Sequence, residues 1–127
     1  MAHSLWFILT GLFLALPAQA CPTKNYLFRL GEGEPAACRN LGWEGDFSLA
    51  ACGESGILKD NQGRQFFLRA NGNAWYYHSD RMNGEIRLVE VLWMRPDLGE
   101  FSYASSMQDK NGDFHRQDDC KGTMQPR

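Results

Sequence analysis

From Gly56 onward, short runs rich in aromatic and β-branched residues alternate with clusters of Asn, Gly, Asp and Pro. Asn-Gly occurs three times, at Asn71-Gly72, Asn83-Gly84 and Asn111-Gly112. Both residues tolerate positive φ, so Asn-Gly between apolar runs predicts a two-residue hairpin turn. Asp60-Asn61-Gln62-Gly63 and Arg95-Pro96-Asp97-Leu98-Gly99 read as further turns. Between these turns lie Gly56–Lys59, Arg64–Ala70, Ala74–Asp80, Glu85–Trp93, Phe101–Met107 and Phe114–Cys120. Runs of this length and spacing predict an antiparallel meander, mainly β, curled into a half-barrel or barrel.

Upstream the pattern is less regular. Asn25–Leu30 suits a strand or the first turn of a helix, and Pro35–Leu41 a short helix stopped by Gly42. Asp46–Ala51 reads as another strand. In Glu85–Trp93 both rows, Arg87-Val89-Val91-Trp93 and Ile86-Leu88-Glu90-Leu92, are mainly apolar. Such a strand is expected to be central and covered on each side, one cover being the N-terminal segment. Phe67, Trp75, Tyr77, Val89, Val91, Trp93, Phe101 and Tyr103 are the expected core. In the aromatic run Trp75-Tyr76-Tyr77, strand alternation then turns Tyr76 outward, beside Phe66 or another cross-strand neighbour.

Composition adds a compartment. The first twenty residues carry no Asp, Glu, Lys or Arg, and the apolar run Leu5–Leu16 ends in Pro17-Ala18-Gln19-Ala20. This is the layout of a signal peptide cleaved after Ala20, and too short a run for an uncleaved anchor, which needs roughly 20 apolar residues. Residues 21–127 remain as one domain, expected in a periplasm or secreted, with no membrane insertion after cleavage. Thirteen Lys/Arg against fifteen Asp/Glu leave a net charge of −2. That balance argues against nucleic acid and against a polybasic membrane patch.

Cys21, Cys38, Cys52 and Cys120 form an even set without a Cys-x-x-Cys pair, which reads as two disulfides in an oxidising compartment. Four cysteines permit three pairings. A sheet curling toward closure brings Cys52 to Cys120, leaving Cys21 with Cys38; the alternative joins Cys38 to Cys52 and Cys21 to Cys120. Cys21 would be the first mature residue, so a lipoprotein anchored there is the second reading of localisation. Ala18-Gln19-Ala20 matches that signal poorly.

Candidate chemistry is sparse. His78 and His115 lack ligand spacing and read as solvent-facing strand positions. Asp109-Lys110-Asn111-Gly112-Asp113 opens like a calcium loop but continues with Phe114 and Cys120 where Gly and an acid are needed, so it reads as a polar hairpin. Ser102, Ser105 and Ser106 are nucleophile candidates by residue type alone, with no Gly-x-Ser-x-Gly elbow. No cofactor, metal site or catalytic signature is expected. The expected function is a small exported protein-binding module, an inhibitor or immunity-type protein acting on an exported hydrolase. It would present Arg95–Glu100, Met107–Asp113 or Arg81–Glu85, with Tyr76, Arg95, Asp97, Lys110 and Asp113 as candidate contacts. The alternative is a carrier of a small apolar ligand in a lipocalin-like barrel.

Overall fold

The computed structural model describes residues 21–127; the expected signal peptide lies outside the described residues. Eight strands and one short helix follow one another: β1 (Thr23–Leu30), α1 (Ala36–Asn40), β2 (Gly45–Cys52), β3 (Ser55–Asp60), β4 (Gln65–Asn71), β5 (Ala74–Asn83), β6 (Ile86–Arg95), β7 (Glu100–Gln108) and β8 (Phe114–Pro126). Each strand pairs antiparallel with the next, and β8 returns to β1, closing the barrel. The meander read from the sequence is thus a full barrel. Among the described residues no helix is long and apolar enough to cross a membrane.

The turns differ in detail from the Asn-Gly expectation. Asn71 pairs with Ala74 and Asn83 with Ile86, so the loop residues are Gly72-Asn73 and Gly84-Glu85. Gly72 and Gly84 take φ of 61° and 64°, while among the described residues no non-glycine residue has positive φ. Glycine at the first central position alone is the pattern of a type II′ turn, whose twist matches the flanking strands.

Inward-facing Phe28, Phe47, Leu58, Phe66, Leu92, Met94, Phe101, Tyr103 and Met124 fill the lumen, all nearly or fully buried. On β6 the core face is therefore Leu92 and Met94, not Val89, Val91 and Trp93, which remain half-exposed on the outside. Phe67 is 66% exposed and Phe66 takes the inward position expected of it. Trp75 and Tyr77 pack on the core from its edge, and Phe101 and Tyr103 lie within it as expected. The N-terminal segment does not cover the outside of β6. Its β1–β2 connection instead enters one end of the barrel and buries Cys38 and Trp43 completely. Two apolar rows on one strand are equivalent by hydropathy; only closure decides which is inside.

The disulfides are Cys21–Cys52 and Cys38–Cys120, the third of the three pairings and neither of the two expected. Cys21–Cys52 continues the β1–β2 register two steps beyond Thr23↔Ala50. The expected Cys52–Cys120 bond required β8 to end at Cys120 beside the start of β3. Instead β8 runs on to Pro126 and pairs with β1, which separates it from β2. Cys120 is left in mid-strand facing the lumen, where it meets Cys38 of α1 across a Cα–Cα distance of 5.7 Å.

Gly122 marks the tightest closure contact. It pairs with Leu30 on one side and Phe101 on the other. A Cβ there would collide with the Arg29 carbonyl oxygen and come within 2.7 Å of the Phe101 ring. Gly122→Ala is expected to destabilise by roughly 1–3 kcal/mol, as overpacking of a tight site does. A urea unfolding midpoint unchanged by the substitution would contradict this placement of β8 against β1.

Candidate functional site at the open end of the barrel

Strand lengths are unequal around the barrel. β1 to β4 span 8, 8, 6 and 7 residues, whereas β5 to β8 span 10, 10, 9 and 13. The antiparallel order puts the β1–β2 connection with α1, and the β3–β4, β5–β6 and β7–β8 turns, at one end. There the inward row leaves the core. One step beyond buried Leu92, Tyr103 and Cys120 the inward residues are Glu90, Ser105 and Asp118. Water wets this stretch of the strands, so polar side chains on the inner face are not penalised.

These groups satisfy one another. Glu90 accepts a hydrogen bond from the Tyr103 hydroxyl at 2.8 Å and one from Arg81 Nη1 at 3.1 Å. Arg116 Nε donates to Asp118 Oδ2 at 2.6 Å, and the Ser105 hydroxyl approaches the same oxygen at 3.5 Å. The carboxylates are the more sheltered partners, with side-chain exposures of 20% for Glu90 and 9% for Asp118, against 56% for Arg81 and 48% for Arg116. Burial, reinforced by the bond to Glu90, pushes the Tyr103 hydroxyl up to about 12. It is a donor throughout the physiological range.

The floor of this concave face is Trp43, held by Arg64. The guanidinium carbon of Arg64 lies 5.0 Å from the Trp43 ring centre and 4.8 Å from that of Phe66, within cation–π range. Its nitrogens donate to Leu41 O at 2.7 Å, to Gly42 O at 3.4 Å and to Asp60 Oδ2 at 3.1 Å. Arg64 therefore ties the inserted connection to the β3–β4 turn.

Two hairpin tips form the rim. Asp109 builds the β7–β8 tip, accepting the backbone N–H groups of Asn111 and Asp113 at 2.9 and 3.0 Å and pairing with His115 Nε2 at 2.8 Å. His115 holds the Asp109 carboxyl below its usual range. The Asp109 carboxylate, first of the oxygens that suggested a calcium loop, is thus spent on the turn itself. No group of metal-ligating residues forms among the described residues. Lys110 reaches Glu85 of the β5–β6 tip at 3.5 Å, both side chains well exposed. Met82 and Phe114, 63% and 55% exposed, flank the two turns.

The five candidate contacts divide between opposite ends. Lys110 and Asp113 lie in the β7–β8 tip. Tyr76, Arg95 and Asp97 lie toward the other end, where Tyr76 pairs with Trp93 and Arg69 rather than with Phe66. Arg95 makes a two-pronged pair with Asp97 at 2.9 and 2.6 Å, which holds that carboxyl below its usual range. Of the three proposed loops, Arg81–Glu85 and Met107–Asp113 therefore share an end, and Arg95–Glu100 does not. Sequence reasoning missed Glu90, Arg116, Asp118 and Arg64. An acid within the apolar run Ile86–Met94 was the one available signal.

Alkaline titration tests the Tyr103–Glu90 pair. Its pKa in the fold exceeds the ordinary 10.0. The associated stability is complete below pH 10 and declines as pH rises toward 12. Tyr103→Phe should remove phenolate absorbance that develops near pH 12. It should also cost roughly 1–3 kcal/mol, the worth of a hydrogen bond to a charged group. Unaltered absorbance at that pH would contradict the assignment. Comparison with protein-family models, with curated proteins and with solved structures finds no match to this chain.

Proposed function

We propose that this chain is an exported protein-binding module, an inhibitor or immunity-type protein acting on an exported hydrolase, and that it engages its partner with the open end of the barrel. The observation carrying this reading is the inner face of β5–β8 above Trp43. It offers charged and hydroxyl groups to solvent, and two exposed apolar side chains, Met82 and Phe114, flank the hairpin turns at its rim. Apolar anchors beside hydrogen-bonding Arg and carboxylate groups are the usual makeup of a protein interface. Two disulfides and the apolar leader support export. The sulfur of Cys21 is engaged with Cys52, which disfavours a lipid on that thiol.

The carrier reading has less support. Trp43, Phe28, Phe101 and Met94 occupy the barrel centre and are fully or almost fully buried. A ligand would have to displace them, at several kcal/mol for each large side chain.

The test is affinity capture with the oxidised protein, tagged at the C-terminus, from envelope and secreted fractions. A single stoichiometric partner that survives moderate salt is expected. Arg81→Ala, Met82→Ala and Phe114→Ala should each weaken binding about tenfold or more, the loss of one interface anchor, with the circular dichroism spectrum unchanged. Tyr76→Ala and Arg95→Ala should bind normally. The reverse pattern would move the interface to the other end, and absence of any protein partner would remove the reading.

A further inference from the structure

The two disulfides differ in everything that governs thiol exchange. Cys38 and Cys120 are both completely buried, sealed between α1 and the lumen face of β8. Cys52 is exposed and Cys21 half-exposed, at the end of the barrel away from α1. Both cysteines line an open concavity on the outside of β2–β4 with Ile57, Phe67 and Arg69. Arg69, an exposed cation one strand beyond the Ser55 that pairs with Cys52, lines the same concavity; a nearby cation stabilises a departing thiolate and speeds exchange.

The fold around this bond does not depend on it. Six cross-strand pairs from Thr23↔Ala50 to Phe28↔Gly45 hold β1 to β2 independently, and β1 is held on its other side by β8. Pro22 O also accepts from Ala51 N at 3.1 Å. Opening Cys21–Cys52 therefore frees only the first residues of the described chain.

We infer that Cys21–Cys52 is a thiol-exchange site whose substrate is a small thiol or dithiol, opened by that thiol and resealed by the reverse exchange with the corresponding small disulfide, while the barrel and the Cys38–Cys120 bond stay intact. An incoming thiolate bonds to one sulfur, the Cys21–Cys52 bond breaks, and the other sulfur leaves as a thiolate in the concavity that Arg69 lines. A second thiol then displaces the mixed disulfide. The thiol donor is oxidised to a disulfide, and its two electrons and two protons end on Cys21 and Cys52.

The experiment uses the oxidised protein purified from the envelope of the expressing cell. It is exposed to limiting dithiothreitol or to reduced glutathione, alkylated at intervals and mapped by peptide mass spectrometry. Cys21 and Cys52 should be alkylated at least about tenfold faster than Cys38 and Cys120, since access limits exchange. Far-ultraviolet circular dichroism and tryptophan fluorescence should not change. Simultaneous labelling of both pairs, labelling of Cys38 and Cys120 first, or loss of the fold with the first pair would each overturn the proposal. Arg69→Gln should slow opening of Cys21–Cys52 several-fold; an unaltered rate would remove the guanidinium from the site.

Discussion

The insertion of Trp43 into the barrel is the contact on which the rest of the structure depends. Eight strands enclose an interior that side chains alone can fill, and here the strands do not fill it unaided. The β1–β2 connection supplies an indole that packs on Phe47, Phe66, Phe101 and Tyr103 at centroid separations of 5.7, 5.2, 6.2 and 4.6 Å. Its Nε1–H is buried without an acceptor among the described residues, a cost of about 1–3 kcal/mol. Burying the ring itself contributes roughly 3–5 kcal/mol, so hydrophobic packing wins. Arg64 from outside and Cys38–Cys120 from inside hold the segment in place.

That insertion also decides where the core stops. Side chains at or below the level of Trp43 must be apolar or paired, and those above it meet water. β5 to β8 continue past this level, so their inner face changes character within one inward step, from Leu92 to Glu90 and from Cys120 to Asp118. The concave polar face is a consequence of unequal strand length over a fixed plug. Among the described residues no segment is inserted at the opposite end. There the Cys21–Cys52 bond and the Arg95–Asp97 pair hold chain segments on the outside.

The strand pattern was legible because each run is short and bounded by Gly, Asn, Asp or Pro, and the helix because Pro35 and Gly42 bracket it. Gly42 adopts φ 83° and lies against Arg64, a left-handed position that follows a helix end. The candidate site was legible only in part. Lys110 and Asp113 stood out as residues of a polar turn, but nothing local linked that turn to Glu90 or Arg81, whose inward direction depends on register. Tyr76 read correctly as outward, because alternation from a core-packed Trp75 requires it.

By itself the sequence determined the β class, the order of elements from Pro35 onward, the approximate positions of the turns and the presence of two disulfides, while the type of Asn25–Leu30 stayed open. Each of these follows from local preference or from composition. Tertiary structure decided which row of β6 is inside, that β8 passes Cys120 to close on β1, and therefore which cysteines meet. It also decided that the polar inner positions of β5 to β8 gather above Trp43. The physical reason is common to all of these. Closing a sheet fixes register and facing through contacts between residues far apart in the chain, and two apolar rows on one strand carry no local mark of which will be enclosed.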